Sequence, residues 1–327
     1  RVNQRIHKPI EINPSLAHPL KQKLLLLADG RITDSRKPQE VSFKFDYNQK
    51  DIYTRISILP TVSGYSIVIR LFHQHHKDYF TMSKIFEDHP LAYKISKNLL
   101  HSRKGMMILS GPVNVGKTTT MYAIMQELAK EHRVIVSAED PVEVRFDNIN
   151  QIMIDDEKSG LSFTDIIKAS MRQNPDVIAV GEIRDQITAN MSMRACITGS
   201  LVFSSIHATS CINTISRLID LGAESYLISS SIKLILSQRL CRHLCNKCKV
   251  ETKIDPEFQD LFKKLGLNID GKFYVAKGCD FCQHTGYTSY QPIFECLPIN
   301  DELAGLANKN QFTQFKKIAE KKLKGHT

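Results

Sequence analysis

The 327-residue sequence predicts an α/β fold, a mostly parallel sheet covered by helices, with a small α+β region ahead of it and a cysteine-bearing segment behind. Three observations predict it. Apolar strand cores recur at Met106–Leu109, Val134–Val136, Val177–Val180 and Leu201–Phe203, separated by helix-length segments, the alternation that buries a parallel sheet on both faces. Between the first of these strands and the helix-forming stretch Met121 to Lys130 stands a match to G-x-x-x-x-G-K-[ST]. Two C-x-x-C pairs, Cys245/Cys248 and Cys279/Cys282, follow the last predicted strand.

Each element has its own local signal. Ser15 to Asp29 has helical spacing and stops at Gly30, a C-cap residue. Ser42–Tyr47 and Ile52–Ile58 alternate with period two, and Tyr65–Phe72 is β-branched and apolar after a turn at Gly64. These make a small α+β domain. The polar stretch His73 to Asp78 reads as a linker, and its three histidines as a surface loop rather than a metal site. The expected domains are therefore 1–76, an N-terminal α+β domain, 77–240, the nucleotide-hydrolysing core, and 241–327, a zinc-knuckle and helical segment.

Composition narrows the class. At 42% hydrophobic residues the chain can build two or three cored domains. No apolar run reaches the roughly 18 residues of a membrane-spanning helix, and no basic-then-apolar secretory signal is visible. The sequence starts at Arg1 in place of methionine, which leaves open a missing N-terminal piece. The net charge of +10 and the crowding of Lys316, Lys317, Lys321, Lys322 and Lys324 suit nucleic acid or an acidic membrane. A solvated helix face explains them more simply. Eight cysteines without other secretory features point to metal or free thiols rather than a disulfide framework.

The chemistry begins at the loop Gly111, Pro112, Val113, Asn114, Val115, Gly116, Lys117, Thr118 and Thr119. Its backbone N–H groups converge at a helix N-terminus, where peptide dipoles favour anions. ATP phosphates fit there, with Lys117 on the β- and γ-phosphates and the Thr118 hydroxyl on Mg²⁺. Asn114 stands where many such loops carry glycine, and asparagine tolerates positive φ better than most residues. The strand Val177–Val180 leads into Gly181-Glu182, which places a carboxylate toward the γ-phosphate and its metal. Val134–Ala138 leads into Glu139 and Asp140, so one carboxylate can hold metal while another orients water. Asp140, before Pro141, suits a turn as well as a metal. His207 follows Ser200–Ser205 into the same crevice and is read as a γ-phosphate contact. The two C-x-x-C pairs have the spacing of a closed four-thiolate Zn²⁺ site on Cys245, Cys248, Cys279 and Cys282, although Cys241 complicates the choice of ligands. Cys196, Cys211 and Cys296 read as small buried residues.

The series Gly111–Thr120, Ala138-Glu139-Asp140-Pro141-Val142-Glu143, Arg172–Val177 through Gly181-Glu182-Ile183-Arg184-Asp185, and Thr198–Leu201 to His207-Ala208-Thr209 resembles the Walker A, aspartate-box, Walker B and histidine-box motifs of the type II/type IV secretion ATPase superfamily. Arg36–Glu40, Ile56–Thr61 and Ile67–Leu71 extend the resemblance into the N-terminal half. Val41 and Ala208-Thr209 depart from the usual pattern. The resemblance implies a RecA-like P-loop core, a PAS-like N-terminal domain, and a homo-hexamer that hydrolyses ATP between its two domains. It implies Glu139 as activator of the attacking water and Glu182 as the Walker B carboxylate on Mg²⁺, the identity of the base staying open, and Arg55 and Arg70 as arginine fingers. The tetracysteine segment implies an assembly or secretion motor. The short N-terminal part resembles the competence-type DNA-uptake motor of Gram-positive bacteria, with type II secretion or type IV pilus assembly as the alternative and a DNA translocase as a rival of another class. The implied setting is the cytoplasm, against an inner-membrane platform protein and, indirectly, the pilin machinery, with no sequence-specific nucleic-acid binding.

Overall fold

The computed structural model describes residues 11–28, 30–32, 37–48, 50–73, 81–154, 160–266, 269 and 271–323. Arg36, residues 74–78 of the polar stretch, Lys324 and the expected boundary at 76/77 lie outside them. The chain divides into two compact units, Arg1–Tyr79 and Phe80–Thr327.

In the first unit, Pro14–Leu16 forms a 3-10 turn capped by the Asn13 side chain and leads into α1 (Ala17–Leu27). The Gly30 N–H then donates to the Leu25 carbonyl at 2.8 Å, closing the helix as a glycine after the C-terminus does. Strands β1 (Gln39–Tyr47), β2 (Lys50–Thr61) and β3 (Gly64–His73) form an antiparallel meander. Alternation sorts the faces: Ile56 and Ile58 are buried with Leu24 and Leu25 of α1, while Arg55 and Ser57 belong to the opposite face.

The second unit is built on a seven-stranded sheet. Short helices α2 (Met82–Ile85) and α3 (Pro90–Leu100) precede β4 (Gly105–Ser110), α4 (Lys117–Ala129), β5 (Ile135–Glu139), β6 (Asn150–Met153), α5 (Phe163–Met171), β7 (Val177–Val180), α6 (Gln186–Ile197) and β8 (Leu201–Ile206). After α7 (Cys211–Asp220) and α8 (Ser225–Ser231) come β9 (Ile232–Leu244), β10 (Lys249–Thr252), α9 (Pro256–Leu265), β11 (Phe273–Ala276), β12 (Tyr287–Pro298), α10 (Asp301–Asn308) and α11 (Phe312–Leu323). The strand order is β12-β9-β4-β8-β7-β5-β6, parallel except for β12 against β9. Met106 and Ile108 enter one apolar layer and Met107 and Leu109 the other, so β4 is covered on both faces.

The four expected strand cores all lie on or beside strands, with Val134 just ahead of β5. Three strands of this sheet, β6, β9 and β12, had no separate place in the sequence reading. The boundary expected at 240/241 falls inside β9, which runs on to Leu244 because β12 returns antiparallel along it. Leu303, Ala307, Phe315, Ala319 and Leu323 of α10 and α11 complete one core layer. Lys316, Lys317 and Lys321 occupy the exposed side of α11, the solvated face preferred from composition. Among the described residues no helix is long and apolar enough to cross a membrane.

Candidate functional site

The loop between β4 and α4 has the dihedral pattern its residues allow. Gly116 and Asn114 hold φ of 85° and 61°, and Gly111 holds 150°. Asparagine therefore replaces glycine at a left-handed position it tolerates. Gly111 is required for a second reason, because a Cβ there would lie 2.6 Å from the Gln238 carbonyl oxygen and 2.8 Å from Val115 Cγ2. The Lys117 ammonium folds back over the loop, donating to the Gly111 and Pro112 carbonyls at 2.7 and 2.8 Å. Burial holds its pKa below the usual lysine range, with the Arg239 charge acting the same way and Glu182 against it. Thr118, half-buried, stands beside it in the first turn of α4.

Glu182 and His207 meet at this loop. His207 Nδ1 lies 3.4 Å from Lys117 Nζ, and its Nε2 lies 2.9 Å from Glu182 Oε1. A tautomer donating from Nε2 to Glu182 leaves Nδ1 to accept from Lys117. The second oxygen of Glu182 accepts from Arg184 Nε at 3.0 Å, and Arg184 Nη1 continues to Asp140 at 3.0 Å. Lysine, histidine, carboxylate and arginine thus link the carboxyl ends of β4, β8, β7 and β5, the edge where parallel α/β sheets bind ligands. Asp140 is an ion-pair partner here.

Glu139 lies in a separate polar pocket. It is 3% exposed and accepts from the Tyr122 hydroxyl, from Ser137 Oγ at 2.7 Å and from Gln151 Nε2 at 3.0 Å. Burial, reinforced by the Glu139 charge, pushes the Tyr122 phenol up, so it remains a donor. Three donors occupy three of the roughly four acceptor positions of a carboxylate.

Two residues at this edge were missed from sequence. Gln238 Oε1 accepts from Thr120 Oγ1 at 2.8 Å while its Nε2 donates to the Val115 carbonyl at 2.8 Å, tying β9 to the loop and to α4. Arg239 donates to the Thr209 and Gln238 carbonyls beside Gly111. The available signal was a polar triplet, Ser237-Gln238-Arg239, ending the apolar run Leu234–Leu236.

Arg55 and Arg70 belong to the first unit and are direct partners across β2 and β3. Arg55 is ion-paired with Glu40, Nη2 to Oε2 at 2.6 Å, and Arg70 is exposed.

The four cysteines converge as their spacing implies. All four Sγ atoms lie within 4.8 Å of one another, with 245–279 at 4.0 Å and both 248–282 and 279–282 at 3.8 Å. A tetrahedron with Zn–S bonds of about 2.3 Å has edges of about 3.8 Å, so the donor set fits zinc. The Cys279 and Gly286 N–H groups each donate to Cys282 Sγ at 3.2 Å. Burial raises the Cys282 thiol, but these bonds and those from Cys248 and Cys279 outweigh it and bring it down to about 6. Cys241 is exposed and outside the cluster, while Cys196, Cys211 and Cys296 are buried.

The family model described as type II/IV secretion system protein matches residues 1–326. The chain is 33% identical over 313 residues to the putative type II secretion system protein E of Escherichia coli K12, covering 95% of this chain and 62% of that protein. It is 35% identical over 295 residues to the type IV pilus assembly ATPase PilB of Myxococcus xanthus DK1622, covering 89% and 51%. The chain therefore spans only about half to three-fifths of the length of these relatives. Its fold is similar to that of the Yersinia pseudotuberculosis ATPase DotB, with a TM-score of 0.64, 18% identity and coverage of 93% and 74%. Sequence and fold agree: the chain belongs to the type II/IV secretion system protein family.

Proposed function

We propose that the chain is an ATPase motor of type II secretion or type IV pilus assembly. The observation that carries the reading is Lys117 held on the carbonyls of its own loop, with His207 bridging it to Glu182. Bound ATP would place its β- and γ-phosphates where Lys117 now serves carbonyl oxygens, and Mg²⁺ would fall to Thr118 and Glu182. His207 would follow the γ-phosphate. Glu139, fixed by three donors with one acceptor position left, would orient or deprotonate water. Arg55 and Arg70 would add positive charge in the transition state, which requires domain closure or a neighbouring subunit of a homo-hexamer. Zn²⁺ on the four cysteines would brace the β10–β12 region. The relatives are secretion and pilus-assembly proteins, and they support those pathways over competence-type DNA uptake, the reading the sequence put first. A cytoplasmic site beside a membrane platform protein goes with this role.

The test is Lys117→Ala. Turnover and nucleotide binding should both collapse while the melting temperature holds. Turnover within about twofold of wild type, read as a free-energy difference, sinks the nucleotide-site assignment.

A further inference from the structure

Arg239 stands at this edge with backbone carbonyls for partners. Its donors reach only the Thr209 carbonyl and the Gln238 carbonyl, the latter at 3.1 Å, and it pairs with no carboxylate among the described residues. A guanidinium has five N–H donors in a planar fork suited to phosphate oxygens. The position is set by the sheet. Ser237 of β9 is in register with Ser110 of β4, so two residues on Arg239 stands level with the start of the phosphate loop. The guanidinium lies against the loop itself: an ideal Cβ built at Gly111 would be in van der Waals contact with Arg239 Nη1, at 3.6 Å. Lys117 donates to that same Gly111 carbonyl. Two cations therefore flank one loop, close enough that the Arg239 charge helps to hold the Lys117 pKa down while Glu182 acts on Lys117 in the opposite sense.

We propose that Arg239 is a same-chain guanidinium of the γ-phosphate site, trading the Thr209 carbonyl for the terminal phosphate of bound ATP. The inference rests on the ATP-site reading above. It differs from the arginine-finger expectation because the group comes from the unit that carries Lys117, and needs no second domain. The trade favours the anion, since a phosphate oxygen adds a full opposite charge and a bidentate match to the guanidinium fork where the carbonyl offers only a dipole. It would also release the segment at Thr209, two residues beyond His207, whenever a third phosphate is present.

The experiment uses the full chain with Arg239→Gln and Arg239→Lys, measuring equilibrium affinities for ATPγS and ADP alongside turnover. Arg239→Gln should weaken ATPγS by about tenfold or more and leave ADP within about twofold, and Arg239→Lys should fall between. Equal losses for both nucleotides with a lowered melting temperature would make Arg239 a brace for the Thr209 loop and overturn the proposal. So would unchanged affinity for both. If wild-type protein binds neither nucleotide, the ATP-site reading fails as well; if it binds both and only the Arg239 effect is missing, this inference alone fails.

Discussion

Gly111→Ala tests how far β9 and the loop between β4 and α4 form one object. The added Cβ meets two obstacles, the Gln238 carbonyl oxygen at 2.6 Å and Val115 Cγ2 at 2.8 Å, on a backbone with φ of 150°. That backbone conformation costs a non-glycine residue about 1–3 kcal/mol, and forcing an extra methyl into a packed site adds about 1–3 kcal/mol. The Gln238 oxygen cannot swing aside as a side chain would, because β9 is held on both flanks by β4 and β12. A combined loss of at least about 2 kcal/mol should lower the melting temperature by about 4 °C or more for a unit of this size. Nucleotide affinity should fall with it. Gly266→Ala is the control: φ is 67° at the end of α9 and nothing lies within 4 Å of its Cβ. It should cost about 1–2 kcal/mol for the left-handed backbone by itself and leave nucleotide binding alone. Thermal melts and nucleotide titration read both variants. If Gly111→Ala melts within about 2 °C of wild type and binds nucleotide normally, the close approach of β9 to the loop is not a constraint and the reasoning is wrong.

The two glutamates should separate by stability as well as rate. Glu182→Gln is expected to bind nucleotide, stall hydrolysis and melt like wild type, whereas Glu139→Gln puts an amide among buried donors and should lose about 1–3 kcal/mol besides its turnover; identical melts for the two variants would contradict this. Elemental analysis of protein purified without chelators should find one Zn²⁺ per chain, and Cys245→Ser should loosen the β10–β12 region while sparing nucleotide binding. A zinc content near zero removes the metal centre. Arg70→Ala should slow turnover by about 10³-fold or more if it is an arginine finger, with turnover per chain rising with protein concentration in the wild type. Equal turnover in dilute monomer and concentrated sample, with an inert Arg70→Ala, would favour a self-contained enzyme.

What the sequence determined by itself is local or carried by spacing. The loop between β4 and α4 was legible because a strand, a glycine-rich turn and a helix are consecutive, and its backbone requirements appear directly as Gly111, Asn114 and Gly116. The cysteine cluster was legible because two short C-x-x-C segments each bring a pair of thiols, leaving the fold only to bring the pairs together. The meander of the first unit was legible from period-two alternation, which places Ile56 and Ile58 on one face and Arg55 on the other. The tertiary structure decided who meets whom. β8 inserts between β4 and β7, which is why His207 can touch both Lys117 and Glu182. Nothing in the order of the motifs shows that insertion. Glu139 and Glu182 look equivalent as acids after apolar strands, yet one is enclosed by Tyr122, Ser137 and Gln151 and the other reaches the loop. β9 carries Gln238 and Arg239 to the site from far along the chain, and no glycine or proline marks its start after α8, so its boundary had no local signal. Local signals encode conformation, because dihedral preference and periodicity act over a few residues. Strand order is set by which faces bury the most apolar surface together, and that is a property of the packed sheet as a whole.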